Sequence, residues 1–288
     1  MREKLIARRG QLIRPLRRIG MANGPSLTMT ECSIFIPSCD SYSDLWDPFF
    51  HFFWKFWPDC PFPVYLGGNS LRREFPRVHR LYSNCGNVWT DRVHEQVRAL
   101  PTPYVLLMLE DFFLRSPVNT AGLLACYHNW RKLDAHCLRL VRRPGPNRAL
   151  PGQPHFGILN LDAPYRISTQ AAIWKKETLL SLMRPGESIW QFEIEGTRRS
   201  RAFPDGFYGV WRNQLTYGHH VLERGKWFPK AVRWCRKMGV ACDLARRPAM
   251  SLREISVWKC RKARSVLADC LPYPARRRMR QWLGKVSI

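Results

Sequence analysis

Acidic residues are the scarce component of this sequence. Only 22 Asp and Glu stand against 47 Lys and Arg in 288 residues, a formal net charge of +25. That balance excludes an acidic or neutral surface and points to an anionic partner: nucleic acid, an acidic membrane surface or a phosphate-bearing substrate. No run of 18 or more apolar residues occurs, so no transmembrane span is expected. The N-terminal residues lack an apolar core long enough for a secretory signal. Neither G-x-x-x-x-G-K-[ST] nor a G-x-G-x-x-G after a strand is present, which argues against a Walker loop and a dinucleotide fingerprint. The ten cysteines contain no C-x-x-C. Cys32/Cys39 and Cys235/Cys242 are each seven apart, which fits no common zinc spacing. Scattered cysteines in a chain this large indicate a reduced, cytosolic setting rather than a disulfide framework. No internal repeat is visible.

What is present is a globular composition, 45% hydrophobic and 24% charged. Residues 104–109 are six consecutive apolar residues, followed at once by Glu110 and Asp111. Pro101 and Pro103 lie just upstream. A short apolar run bounded by turn signals predicts a strand buried on both faces, the kind found in sheets covered by helices on both sides. In open α/β sheets ligands bind beyond the carboxyl ends of the strands. Paired carboxylates there suit a hard cation and the phosphates it bridges. The plainer alternative is a solvated strand end or a helix-start carboxylate.

Along the chain, residues 1–29 are Arg-rich and acid-poor, with seven Lys/Arg against one acid in the first 20. They fit a surface helix on anionic lipid, a transit peptide, or a lead before a true start at Met21 or Met29. Residues 33–36 predict the first strand. Asp47 as N-cap and Pro48 at the first helical position predict a helix with an aromatic stripe of Phe49, Phe52, Phe53 and Phe56, more simply core than a stacking platform. Strands are predicted at 62–66, 77–82 and 137–141, and helices at 89–100, 119–134, 175–183 and 189–199, the last capped by Ser188. Gly67-Gly68 after the second strand fits either a plain turn or close backbone approach to a ligand. The Pro- and Gly-rich stretch 142–154 reads as a lid or binding loop. A strand at 215–223 and basic helices at 230–238 and 251–269 complete the pattern. The β-α alternation predicts an α/β fold: a Rossmann-like, mostly parallel sheet flanked by helices, with basic helical termini.

Four blocks together resemble a GT-A-type glycosyltransferase of bacterial cell-surface polysaccharide assembly. They are the strand 33–36 leading into Pro37-Ser38-Cys39-Asp40; Leu109-Glu110-Asp111-Phe112; Tyr165-Arg166-Ile167-Ser168-Thr169-Gln170 through Trp174; and Pro185-Gly186-Glu187-Ser188-Ile189-Trp190-Gln191-Phe192-Glu193. The resemblance implies a GT-A-like catalytic domain over residues 30–230, between a basic segment 1–29 and a basic helical extension 231–288. It implies that Pro37, Ser38 and Asp40 contact the nucleoside of a nucleotide-sugar donor, and that Glu110 and Asp111 hold a divalent metal, Mn or Mg, on its diphosphate. It implies that Glu193, with Glu195 second, is the base acting on a hydroxyl of a lipid-linked glycan acceptor. The chain departs from the usual acidic motif in having Phe112 where a further acid is common. Arg or Lys side chains are the alternative means of neutralising the leaving diphosphate.

Two other classes compete. A nucleic-acid-binding protein fits the charge and the aromatics, but the aromatics fall in an apolar helix pattern away from the basic clusters, and no RRM, KH or zinc-finger pattern is present. Another nucleotide-dependent transferase, such as a nucleotidyltransferase, fits a similar sheet. The expected location is cytoplasmic, peripheral on the inner face of the plasma membrane, with the basic ends 1–20 and 246–288 on anionic lipid.

Overall fold

The structure is a computed structural model that describes residues 31–218 and 221–269. The basic segment 1–29, the adjacent histidines 219 and 220 and the Arg-rich turn 276–280 lie outside the described residues. Its centre is a nine-stranded mixed sheet. In chain order the strands are β1 (Cys32–Ile36), β2 (Val64–Gly68), β3 (Val78–Tyr82), β4 (Tyr104–Leu107), β5 (Cys137–Arg139), β6 (Arg148–Leu150), β7 (Gln153–Ile158), β8 (Ala172–Lys175) and β9 (Phe207–Val210). They lie side by side in the order β3-β2-β1-β4-β8-β5-β9-β7-β6. β3, β2, β1 and β4 are mutually parallel, β8 enters antiparallel between β4 and β5, and β5 pairs parallel with β9.

The apolar runs have the period of a sheet covered on both faces. Ile34, Ile36, Leu106, Met108 and Ile173 face one core, while Phe35, Val105, Leu107 and Trp174 face the other. The first core is filled by α1 (Trp46–Phe56) and α3 (Thr120–Arg131) through Phe49, Phe52, Phe53, Leu123 and Trp130. The second is filled by α2 (Trp89–Ala99), α4 (Lys176–Leu182) and α5 (Ile189–Arg199) through Val93, Val97, Leu179 and Phe192. The aromatic stripe of α1 is therefore core: Phe52 and Phe53 are wholly buried and Phe49 stacks on Phe53 at 5.8 Å. No described helix is long and apolar enough to cross a membrane.

Several local expectations change. A 3₁₀ turn over Asp40–Leu45 precedes α1, so the helix begins at Trp46 and Asp47 lies inside its first turn, paired with Arg73 at 2.5 Å. The stretch 142–154 is partly a hairpin, β6–β7, that extends the sheet. Strand β9 has no counterpart in the predicted pattern: Phe207–Val210 is four residues long and carries Gly209. Of the strand expected over 215–223, Tyr217 forms an isolated bridge with Leu114, and Leu222–Glu223 (β10) pairs with Lys226–Trp227 (β11), around Arg224 and Gly225 at φ of 50° and 76°. Two positive φ values in a two-residue loop make the primed turn that suits a twisted hairpin. The described residues end with α6 (Pro229–Lys237), whose Trp234 stacks on Phe52 at 4.0 Å, and α7 (Leu252–Asp269).

Candidate active site at the carboxyl edge of the parallel strands

β1, β2 and β4 run in the same direction, so their exits converge on one edge: Pro37-Ser38, Gly68-Asn69 and Glu110-Asp111. Ser38 joins two of them. Its Oγ accepts from Trp46 Nε1 at 2.8 Å and donates to Glu110 Oε1 at 3.1 Å. Asp40 joins the others. Its carboxylate accepts from the backbone N–H of Asn69, Ser70 and Leu71, each at 2.9 Å, and from Ser70 Oγ at 2.8 Å. Partial burial raises the Asp40 pKa, but these donors outweigh it and hold the carboxyl below its ordinary range. Both Asp40 oxygens are thereby committed to shaping the β2 exit. Gly67 and Gly68 serve neighbouring side chains: a Cβ on Gly68 would lie 2.5 Å from Arg80 Nη2, and one on Gly67 2.7 Å from Gln96 Oε1.

β4 stops at Leu107, and Glu110 and Asp111 follow it after Met108 and Leu109. Both residues keep some solvent-accessible surface, and their carboxyl groups are the more enclosed part. Burial, then the neighbouring Asp111, push the Glu110 pKa up to about 8, against the Ser38 hydroxyl and the Arg92 guanidinium. Burial pushes Asp111 up to about 6, and its Oδ1 is buried without a hydrogen-bond partner. Two like-charged acids sharing one floor oppose each other's ionisation, and a cation placed between them reverses that. Among the described residues no cluster of three or more His, Cys, Asp or Glu could hold a metal ion. Two carboxylates with an unanswered oxygen still fit an Mg- or Mn-type ion, which is commonly bound through one or two carboxylates plus waters and substrate phosphates. The third-position Phe112 stacks on Tyr217 at 4.6 Å, in the core.

That stack leads to the second half of the site. Tyr217 donates to Gln170 Oε1 at 2.8 Å and accepts from the N–H of Ala171 at 3.2 Å. The preceding residues are held by Glu193, whose Oε1 accepts from the Thr169 N–H at 2.7 Å, Thr169 Oγ1 at 2.9 Å and Ser168 Oγ at 3.3 Å. The segment 168–171 therefore connects Glu193 to the Phe112–Tyr217 stack beside Asp111. Beneath it, buried Arg139 donates to the carbonyls of Tyr165 and Arg166 at 2.7 and 3.1 Å. Glu195 is two positions further on, roughly 200° round the helix. It forms a surface ion pair with Arg198 at 2.5 Å. Of the two candidate bases, Glu193 is the one turned towards the segment.

No protein-family model and no curated protein matches the chain. Among solved structures it is similar to TarS residues 1–349 from S. aureus, with a TM-score of 0.39 and 13% identity over 62% of this chain and 60% of that one. It is also similar to 2-C-methyl-D-erythritol 4-phosphate cytidylyltransferase from Thermus thermophilus, with a TM-score of 0.41 and 11% identity over 72% and 98%. A third likeness is the bifunctional IspDF from Campylobacter jejuni, with a TM-score of 0.35 and 10% identity over 59% and 47%. The chain spans less than two thirds of the TarS structure's length. Likenesses this distant bear on neither substrate nor reaction, and the functional reading rests on the site.

Several residues at this edge escape sequence reasoning. Arg92 is 4% exposed and its Nε has no partner. Arg80 lies over the Trp46 ring at 4.4 Å, with Nε and Nη1 buried and unpartnered. Tyr42 faces the Arg247 guanidinium at 4.3 Å, and burial, then Glu110, raise its pKa. One signal was available for Arg92. With Gln96 it interrupts the apolar stripe of α2 at positions that face inward, and polar residues at core positions mark special use. His155, by contrast, is exposed on β7, and Trp227 is fully buried core.

Proposed function

We propose that the chain is a nucleotide-sugar-dependent glycosyltransferase that moves a sugar to a hydroxyl of a glycan acceptor. The observation that carries this reading is the half-buried Glu110–Asp111 pair just beyond β4, with Asp111 Oδ1 unanswered and a third carboxylate, Glu193, tied to the same edge through the segment 168–171. The exit of β1, with Pro37, Ser38 and the Asp40-braced loop, would receive the nucleoside. Glu110 and Asp111 would hold an Mg- or Mn-type ion, which supplies charge neutralisation for the donor diphosphate. Arg92 and Arg80 add fixed positive charge beside that position. In the transfer, the bond from the sugar's anomeric carbon to the diphosphate oxygen breaks and the diphosphate leaves with the electron pair. The acceptor oxygen bonds to that carbon, and its proton passes to Glu193. Glu193 must then reach the acceptor hydroxyl with a carboxylate oxygen while still bracing Thr169.

Two substitutions separate the roles. Asp111→Asn removes charge at constant shape and should weaken manganese-dependent binding of the sugar nucleotide, read by calorimetry. Glu193→Gln should leave donor binding intact and lower turnover about 10²–10⁴-fold, the scale for losing a general base. Parental turnover in Glu193→Gln would refute the base assignment. Release of pyrophosphate rather than a nucleoside diphosphate would place the chain among the nucleotidyltransferases instead.

A further inference from the structure

A cavity of about 650 Å³ lies between the β10–β11 hairpin and α7, and it shares no lining residue with the acidic edge. Four cations line it, Arg224, Lys226, Arg253 and Arg261, against two acids, Glu223 and Glu254. Both acids are already answered from within. Glu254 takes Lys226 Nζ at 2.6 Å and the Ser251 N–H at 2.8 Å, and Glu223 accepts from Trp258 Nε1 at 3.1 Å with Arg224 at 3.9 Å. Among the described residues Arg253 and Arg261 have no acidic partner. They stand at i and i+8 on α7 with Val257 between them at i+4, so all three share one face.

The apolar lining decides the kind of anion. Met250, Val257 and Trp258 line the same cavity as the cations. Of these Val257 is 43% exposed, on a helix that also shows water Arg253, Lys259, Arg261 and Lys262. A free phosphate would use the guanidinium groups and leave Val257 in water. A phosphate attached to acyl chains uses both.

We propose that this cavity is a headgroup site for an anionic phospholipid, with Arg253 and Arg261 on the phosphate and Val257, on the same face, at the acyl boundary. It does not depend on the transferase reading. The difficulty in testing it is the charge of +25, which draws the whole chain to any anionic surface. The experiment therefore compares two double variants of equal charge. Full-length parent, Arg253→Gln/Arg261→Gln and Arg98→Gln/Lys132→Gln are sedimented with vesicles of phosphatidylcholine alone or mixed with phosphatidylglycerol, at about 0.15 M salt, where the screening length is about 8 Å. Parent and the Arg98/Lys132 variant should bind the phosphatidylglycerol vesicles alike. The Arg253/Arg261 variant should lose about 30-fold in partitioning, about fivefold for each arginine at the surface. An equal loss in both doubles assigns the attraction to bulk charge and overturns the proposal, as does failure of the parent to bind. Calorimetric binding of glycerol phosphate that needs Arg253 and Arg261, without any vesicle preference, overturns the lipid assignment.

Discussion

A carboxyl group buried beside another carboxylate keeps its proton into the neutral range, and Glu110, at about 8, is such a group. Its folded pKa lies above the ordinary value. Between the two, the folded chain binds more protons than the unfolded one, so this group's contribution to stability falls as pH rises. Melting temperature should therefore drop from about pH 5 to about pH 9 in the metal-free chain, and Glu110→Gln should flatten the drop. A parallel decline in both would show that Glu110 titrates normally. Manganese affinity should rise over the same interval, because proton and cation compete for one pair of carboxylates; calorimetry at several pH values reads it. The pair itself was legible in the sequence, since two acids ending an apolar run have few other placements. The partners of the pair were not. Arg92 is 18 residues from Glu110 and Tyr217 is 106 from Asp111, and only the packing of α2 and of the chain beyond β9 brings them near.

At the scale of the element, α5 was legible because its start carries local chemistry, whereas α1 begins at Trp46 without a side-chain cap. α5 starts where Ser188 predicts, with Ser188 Oγ and Gln191 exchanging hydrogen bonds across the first turn. Ser188→Ala should cost about 1 kcal/mol in urea unfolding, the usual scale for a lost N-cap. A change confined to a few tenths would mean that tertiary contacts alone hold the start of α5. These include the bonds of Thr90 with the Glu187 carbonyl at 3.0 Å and N–H at 3.0 Å. Short strands carry no such end signals. β9 is recognised by its ladders to β5 and β7, and β6–β7 by pairing across a Pro-rich stretch. In each case the information lies in the partner strand, outside the local window.

For the whole molecule, residues 229–250 tie the chain's last third to the acidic edge. Arg247 Nε meets Asp44 Oδ2 at 2.8 Å, with the Asp44 side chain 1% exposed and Arg246 Nε 3.6 Å from Oδ1. Removing one partner of a buried pair leaves a charge without compensation, so Arg247→Met should destabilise by about 3 kcal/mol. Asp44→Asn/Arg247→Met should cost less than the two single changes added, a double-mutant cycle read by denaturant unfolding. Additive costs would mean that Arg246 alone answers Asp44. Because the pair anchors the 3₁₀ turn that carries Asp40, the same Arg247→Met variant should also bind donor more weakly than the parent. Taken as a whole, the sequence by itself determined the α/β class, the two-faced central strands, the aromatic core of α1 and the position of the acidic pair. Each of these follows from the period of apolar residues or from a local cap. Only the tertiary structure decided that Gly67 and Gly68 make room for Gln96 and Arg80, that Asp40 shapes the β2 exit, and that Glu193 rather than Glu195 braces the segment beside Asp111. Those outcomes depend on which backbone donors and side chains arrive from distant strands and helices, and hydrogen bonds between residues far apart in the chain leave no periodic mark on either partner.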